Sequence, residues 1–395
     1  MQIIPGHLPL IGHAIPVLKS FLKSRRLNDN KFILQHFFDD HFPKNSFATQ
    51  IFYVTNGAGL NICDPNVIAE LYTAKNIYFD KHPLIKDCSQ CLTGDSILFV
   101  ETTKDWKDTR KAISPAFYKG KLENLVEIAK GAVQTTVTRF SSIADTDGRA
   151  DIIHEINTMT TRILLVCAFG QDIADEQVDY WENGVLGKRS VGFSLATTFH
   201  SLINRVADPH VQFFPFLASC FILPKERDMK RNAQALRDFV EAMIEERKQE
   251  IRKNPSLASK GDFLTLLVTD EHFKNRDIRI IDECLTFFFA GSQTSAIATQ
   301  NLIYCLCKHP EYQQKILSEL ERVIVQPYFE EQVAKAKLQT GQQVSDLDVL
   351  SLINYENNSD LAFYTACFNE SLRMHPPVYT SSSVRMSENL RAGPL

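Results

Sequence analysis

Residues 285–307 read LTFFFAGSQTSAIATQNLIYCLC, and the fold turns on this stretch. It is a 23-residue run without Asp, Glu, Lys, Arg or His, in a chain that is 23% charged. A segment so long and so free of charge belongs in a protein interior or in lipid. Ser292, Gln293, Thr294, Ser295, Thr299, Gln300 and Asn301 make it too polar for a span of about 20 apolar residues. A helix apolar on most sides lies in the middle of a large protein. At roughly 1.5 Å per residue it extends about 35 Å, the width of a domain. Ala290-Gly291 interrupts it with small residues, and a mid-helix Gly costs about 1 kcal/mol against Ala. Two readings account for that cost: a close helix crossing, or room for a large flat group beside Thr294 and Ser295.

Composition sets the outer bounds. The chain has 395 residues, is 44% hydrophobic and carries 27 Phe, so it can bury a large core or enclose an apolar cavity. Its net charge of −4 gives no broad basic surface for nucleic acid. The nine Cys lie mostly in apolar runs. Cys88-x-x-Cys91 and Cys305-x-Cys307 lack the second pair or the His spacing of a zinc site, so all nine read as reduced core residues. The opening, with Pro5, Pro9 and Pro16, reads as neither helix nor signal-peptide core, and no segment reads as transmembrane.

Taken in order, residues 47–63 read as a hairpin turning at Asn56-Gly57. Asp64-Pro65 caps a helix. Residues 81–100 read as a loop, and 104–113 as a short helix carrying Trp106 and Arg110. Helices follow without further strands at about 122–140, 151–169 and 225–253. The last is a charged, solvated surface helix over an apolar stripe of Ala233, Leu236, Val240, Met243 and Ile244. Residues 211–223 are apolar but broken by Pro215, either core or an exposed patch touching a membrane. His309-Pro310 starts another helix, and 326–345 is a polar loop. Within the helix at about 360–374, Glu370 and Arg373 are set among Phe363, Ala366, Cys367 and Met374. That setting predicts a buried, mutually contacting pair. The expectation is one mainly α domain with a small β-sheet near the N-terminus.

These motifs together resemble those of the cytochrome P-450 superfamily, haem-thiolate monooxygenases, and most closely its eukaryotic microsomal members. Ala290-Gly291-x-x-Thr294-Ser295 is similar to the oxygen-side helix motif. Glu370-x-x-Arg373, His375-Pro376-Pro377 and Arg385 are similar to the family's Glu-x-x-Arg helix and the strand after it. Trp106-x-x-x-Arg110 resembles the helix that meets a haem propionate, and Pro5-Gly6 with Pro9 to Gly12 resembles the proline-rich hinge after a membrane anchor. The resemblance implies a single cytochrome P-450-like domain over residues 1–395. The cofactor it implies is haem, bordered by Ala290 and Gly291, with Trp106, Arg110 and Arg385 on the propionates. Thr294 and Gln293 become the candidate catalytic residues, while Glu370 and Arg373 brace the structure. The implied partners are O2, an NADPH-dependent reductase and a lipophilic small substrate walled by residues 84–100 and 378–383. The implied location is the cytoplasmic face of the endoplasmic reticulum membrane.

Two departures accompany the resemblance. None of the nine Cys stands in the family's Phe-x-x-Gly-x-x-x-Cys-x-Gly ligand context, which implies a chain without the haem-ligand region or an anchor, and no metal ligand is assigned. Gln293 stands where the family usually has an acid, so a proton relay at Thr294 lacks a titratable neighbour. The alternative reading is an inactive haem-binding or non-haem fragment acting as a helical, membrane-associated scaffold.

Overall fold

The structure is a computed structural model. It describes residues 2–3, 13–27, 40, 50–54, 57–62, 64–73, 79–81, 83–146, 148–206, 208, 210–211, 214–259, 261–334, 349–378 and 384–386. In chain order the elements are β1 (Gln2–Ile3), α1 (Ala14–Leu27), β2 (Gln50–Val54), β3 (Gly57–Asn61), α2 (Pro65–Thr73) and β4 (Phe79–Lys81). Then come α3 (Pro83–Thr93), α4 (Lys104–Ile113), α5 (Lys119–Thr146), α6 (Ile152–Phe169), β5 (Gln177–Glu182) and β6 (Val185–Ser190). They are followed by α7 (Val191–Val206), α8 (Pro224–Lys253), α9 (Phe263–Thr269), α10 (Asp277–Lys308) and α11 (Pro310–Leu320). A π-helical turn, Glu321–Val325, leads into α12 (Gln326–Ala334), and α13 (Val349–Leu352), α14 (Ala362–Met374) and β7 (Val384–Met386) complete the set. The mainly helical expectation holds.

Helix α10 contains the charge-free run and packs against α3, α6, α7, α8, α9, α11 and α14. Three consecutive phenylalanines explain how one helix serves so many neighbours. Successive residues turn by about 100°, so each ring leaves on a different side. Phe287 stacks on Phe263 of α9 at 4.6 Å and Phe288 meets Phe169 of α6 at 5.2 Å. Phe289 stacks on Phe199 of α7 at 4.8 Å. The most buried part is not the charge-free run itself but Arg279–Thr286, where every residue is buried. Farther along, Ala296, Ala298 and Leu302 are buried while Ala290, Ser295, Tyr304 and Cys307 are exposed. Helix α6 is long and apolar enough to cross a membrane, and here it lies along α10 and α5.

Among the described residues the β structure is in three small sheets. Strands β2 and β3 form the expected N-terminal hairpin, with Val54 opposite Gly57, so Gly57 already belongs to the strand. Residues 55 and 56 lie outside the described residues, as do Pro5 and Pro9. Strand β4 pairs antiparallel with β7, setting Asp80 opposite Arg385.

Several expectations are corrected. The region after α6 does contain strands. Strands β5 and β6 pair through a two-residue turn in which Asn183 (φ 54°) and Gly184 (φ 80°) take left-handed backbone, the geometry that Asn-Gly tolerates best. Residues 83–93, read as loop, form α3 with Pro at its first position, where the missing N–H costs nothing. Pro16 likewise sits in the first turn of α1, which the proline-broken reading missed. Residues 326–334 of the supposed polar loop are helical, and 335–348 lie outside the described residues.

Helix α8 buries the whole predicted stripe of Ala233, Leu236, Val240, Met243 and Ile244. It also buries Glu226, Asp228, Asn232 and Arg247, which a solvated charged face does not allow for. Each buried polar group has a distant partner. Asn232 donates from Nδ2 to Trp181 O at 3.0 Å and accepts the Trp181 N–H at 2.6 Å, standing in for a third strand beside β5. Arg247 donates to both oxygens of Asp262 at 2.7 and 2.8 Å and to Phe169 O at 2.8 Å. Glu226 accepts from Arg205 Nε at 2.8 Å and from the Ile222 and Leu223 N–H groups at 3.0 and 2.9 Å.

Candidate functional site

Ala290 and Thr294 are one turn apart on α10, on the side where the helix is least covered. The Thr294 hydroxyl donates to Ala290 O at 2.6 Å, the back-bond usual for a helical threonine. Gly291 faces the other way. A Cβ on it would stand 2.8 Å from Leu164 Cδ1 of α6, so this glycine makes a helix crossing. The small-residue pair therefore divides its two readings: Gly291 admits a neighbouring helix, and exposed Ala290, with half-buried Thr294 one turn on, leaves the surface partly open. Gln293 is half-buried beside them.

Trp106 is placed by α4, whose N-terminus Thr103 caps by accepting the Trp106 N–H. Its indole Nε1–H donates to Ile97 O at 2.8 Å, and the Lys81 ammonium lies 4.7 Å from the ring centroid. Lys81 also donates to Val100 O at 2.6 Å. Arg110, one turn on, is exposed. Strand β7 places the Arg385 backbone against Asp80.

Glu370 and Arg373 contact each other, Arg373 Nε and Nη2 donating to the two carboxylate oxygens at 2.7 and 2.6 Å. They are not buried: their side chains are 52% and 70% exposed, and Ala366 and Met374 beside them are exposed too. The bidentate bond from Arg373 holds the Glu370 carboxyl below its usual range. What anchors α14 lies at its two ends. Buried Glu319 of α11 accepts the Phe363 and Tyr364 N–H groups at 2.8 and 2.9 Å, a carboxylate cap supplied by another helix. At the other end, Asn301 of α10 donates to His375 O at 2.9 Å.

Sequence reasoning missed the buried carboxylates just before the charge-free run. Asp282 accepts from the Asp95 N–H at 2.8 Å and from Arg237 at 2.7 Å. Burial raises its pKa, with the Arg237 charge opposing. Glu283 accepts the Ile97 N–H at 2.9 Å and forms an ion pair with Arg279 at 3.0 Å. Burial pushes Glu283 up to about 7 against the opposing charge of Arg279. The signal was present as Arg279-x-x-Asp282-Glu283 running into apolar sequence, charges that burial requires to be paired.

The cysteines bear on whether the donor set suits haem iron. Burial pushes the Cys88, Cys91 and Cys167 thiols up to about 11 and raises Cys284 and Cys367 as well. An iron-binding thiolate needs the opposite environment. The face at Ala290 and Thr294 suits a flat apolar group; the raised thiols of Cys88, Cys91, Cys167, Cys284 and Cys367 do not suit an iron ligand. Elsewhere, a cleft of about 380 Å³ between the β5–β6 hairpin, α7 and α8 is lined by Tyr180, Trp181, Thr198, Asp228 and Asn232. None of the predicted site residues lines it.

Comparison with known proteins supplies the family. The cytochrome P-450 family model matches residues 36–390. Among curated proteins, the chain is 27% identical over 81% of its length to cytochrome P-450 4F6 of Rattus norvegicus and covers 55% of that protein. It is 26% identical over 86% of its length to cytochrome P-450 734A1 of Arabidopsis thaliana and covers 58% of it. Cytochrome P-450 4F8 of Homo sapiens is 23% identical over 81% of this chain, which again covers 58% of the relative. The chain thus spans little more than half the length of these relatives. With a family-model match across nearly its whole length, this chain belongs to the cytochrome P-450 family.

Proposed function

We propose that this chain carries the oxygen-side and propionate-facing parts of a haem-dependent monooxygenase acting on a lipophilic organic substrate. The observation that carries the reading is the exposed Ala290 with the half-buried Thr294 one turn on, next to Phe289 of α10. Haem, when bound, supplies the activation of dioxygen and the transfer of one oxygen atom to substrate. The protein's part is to exclude water, orient substrate and handle protons. Phe289, Phe199 and Phe99 make a dry aromatic wall. Thr294 holds its proton on Oγ1 against Ala290 O and must turn that bond away to donate elsewhere. Gln293 can orient a water but has no proton to release near neutral pH. Arg110 and Arg385 are the cations for propionates by charge-assisted hydrogen bonds. Trp106 borders the same propionates with its ring, its indole N–H staying on Ile97 O.

Electrons come, in this reading, from an NADPH-dependent reductase, with the protein on the cytoplasmic face of the endoplasmic reticulum membrane. Membrane-surface contact is supported by Phe214, Phe216, Ile222 and Leu223, all exposed, Phe216 by 71%, with Lys225 and Arg227 immediately after them. An apolar patch edged by cations suits an anionic lipid surface.

The raised thiols favour a second reading, an inactive relative retained as a membrane-surface scaffold. One measurement separates them. Purified chain is loaded with haem, reduced and placed under carbon monoxide. The first reading expects stoichiometric haem uptake without the red-shifted thiolate band, because burial raises the thiols at Cys88, Cys91 and Cys167. A chain that takes up no haem stoichiometrically supports the scaffold.

A further inference from the structure

The loop between α3 and α4, residues 94–103, is held at one residue from two sides, by α10 and by α4. Glu283 accepts the Ile97 N–H at 2.9 Å, and the Ile97 carbonyl accepts the Trp106 indole N–H at 2.8 Å. Two residues farther on, Phe99 meets Phe289 at 6.4 Å between centroids, in front of Ala290. We propose that Glu283 and Trp106 clamp Ile97 and thereby fix Phe99 against Phe289, making Glu283 a positioning residue for the aromatic wall beside Ala290. The significance of that wall rests on the haem-monooxygenase reading; the clamp itself does not.

The placement of Glu283 argues for this role over simple packing. A carboxylate with 1% of its side chain exposed is costly, and an apolar residue would fill the same space in a helix otherwise rich in Phe and Leu. What an apolar residue cannot do is accept a loop N–H. Neighbouring Asp282 does the same for the Asp95 N–H, so two consecutive α10 carboxylates take the N–H groups of one loop. The indole N–H of Trp106 would otherwise be a donor without a partner at the edge of the core.

The arrangement has a consequence in pH. With the loop closed, Glu283 is buried and its proton is retained up to about 7. With the loop open, the carboxyl meets water and returns toward ordinary Glu behaviour. The closed loop therefore binds the proton more tightly, and rising pH favours opening. The charged groups facing Glu283 are Arg279 and Asp282 on α10, Arg237 on α8, and Asp95 with its partner Lys86 on the loop side. Those facing Trp106 are Lys81 and the Asp105, His272 and Arg276 group.

The test uses the haem-free chain and fluorescence. Trp106 and Trp181 are the two tryptophans, so a Trp181→Phe background leaves Trp106 as the reporter. Acrylamide quenching is followed from about pH 5.5 to about pH 8.5, spanning the Glu283 titration. Quenching of Trp106 rises as the pH passes about 7. Glu283→Gln, which keeps an acceptor for Ile97 and has nothing to titrate, stays low and flat. Glu283→Ala is quenched more strongly at every pH. A flat parent profile, or the same transition in Glu283→Gln, overturns the proposal, and this comparison decides whether or not Glu283→Ala folds. Haem uptake, read separately by absorption, reports on the functional reading alone.

Discussion

The Asp282 carboxylate lies against the α-carbon of Gly94, in the space a side chain at that position would occupy. Gly94 also has φ +48°, a left-handed backbone that residues with a Cβ rarely adopt. Sterics and backbone thus point the same way, and the neighbour is a buried carboxylate held by Arg237 and the Asp95 N–H, which cannot swing aside. Gly94→Ala is expected to cost about 2–5 kcal/mol, the sum of left-handed strain and overpacking. A urea melt checks this, and a midpoint unchanged from the parent refutes the close approach.

Glu283 makes the stability of this fold depend on pH. The folded state holds its proton up to about 7, against 4.5 for an ordinary glutamate. Stability from this group is complete below about 4.5 and is lost as the pH rises toward 7, on the order of 3 kcal/mol in all. Glu283→Gln removes that loss, so its stability relative to the parent improves between about pH 5 and about pH 8. Urea midpoints of both proteins at the two pH values test it. A constant difference assigns the titration elsewhere.

Arg247 and Asp262 form a buried pair between α8 and the start of α9, with Asp262 also accepting the Thr265 N–H as helix cap. Arg247→Met removes the opposite charge beside that carboxylate and the donor to the Phe169 carbonyl, costing about 3–5 kcal/mol. Asp262→Asn keeps the cap and costs about 1–3 kcal/mol. Because the two act on one network, the double variant loses less than the sum by at least about 0.5 kcal/mol. Additive losses show that the pair is not coupled.

Much of this arrangement was legible because it follows from local chemistry. Asp64-Pro65, Asp151 and His309-Pro310 mark helix starts through groups within a few residues, and the charge-free run names the central helix by composition alone. The β5–β6 hairpin carried the same Asn-Gly signal as the N-terminal one but was hidden by its polar composition, since VLGKRS exposes nearly every residue. The buried charges were illegible for a different reason. Arg247 looks like any surface arginine of a charged helix until Phe169 and Asp262 arrive from far along the chain. Glu370 and Arg373 erred the other way, because apolar neighbours in sequence do not ensure that another element covers them.

That contrast predicts opposite outcomes for two glutamates near α14. Glu370→Ala removes an exposed ion pair and leaves the thermal midpoint unchanged. Glu319→Ala exposes the Phe363 and Tyr364 N–H groups of the helix start and costs about 1–2 kcal/mol. Parallel calorimetric scans of the two variants measure both. A larger loss from Glu370→Ala reverses the assignment of what anchors this helix.

Gly291 is the point at which the two readings of the central stretch make different predictions. Alanine is favoured over glycine inside a helix by about 1 kcal/mol, so Gly291→Ala gains that much wherever the new methyl finds room. Here it meets Leu164 Cδ1 at 2.8 Å and Cδ2 at 3.1 Å, the ends of a side chain already packed between α6 and α10. Overpacking of this kind costs about 1–3 kcal/mol, which outweighs the propensity gain and leaves a net loss of about 1 kcal/mol. Leu164→Val withdraws the obstructing methyls at the expense of a small cavity, costing about 1 kcal/mol alone. Placed together, the two changes should couple favourably: Gly291→Ala becomes stabilising in the Leu164→Val background, because its propensity gain is no longer opposed. The measurement is a double-mutant cycle of urea midpoints. If Gly291→Ala stabilises the parent protein directly, Leu164 does not press on this glycine, and its place in the helix has to be explained by the open face at Ala290 instead.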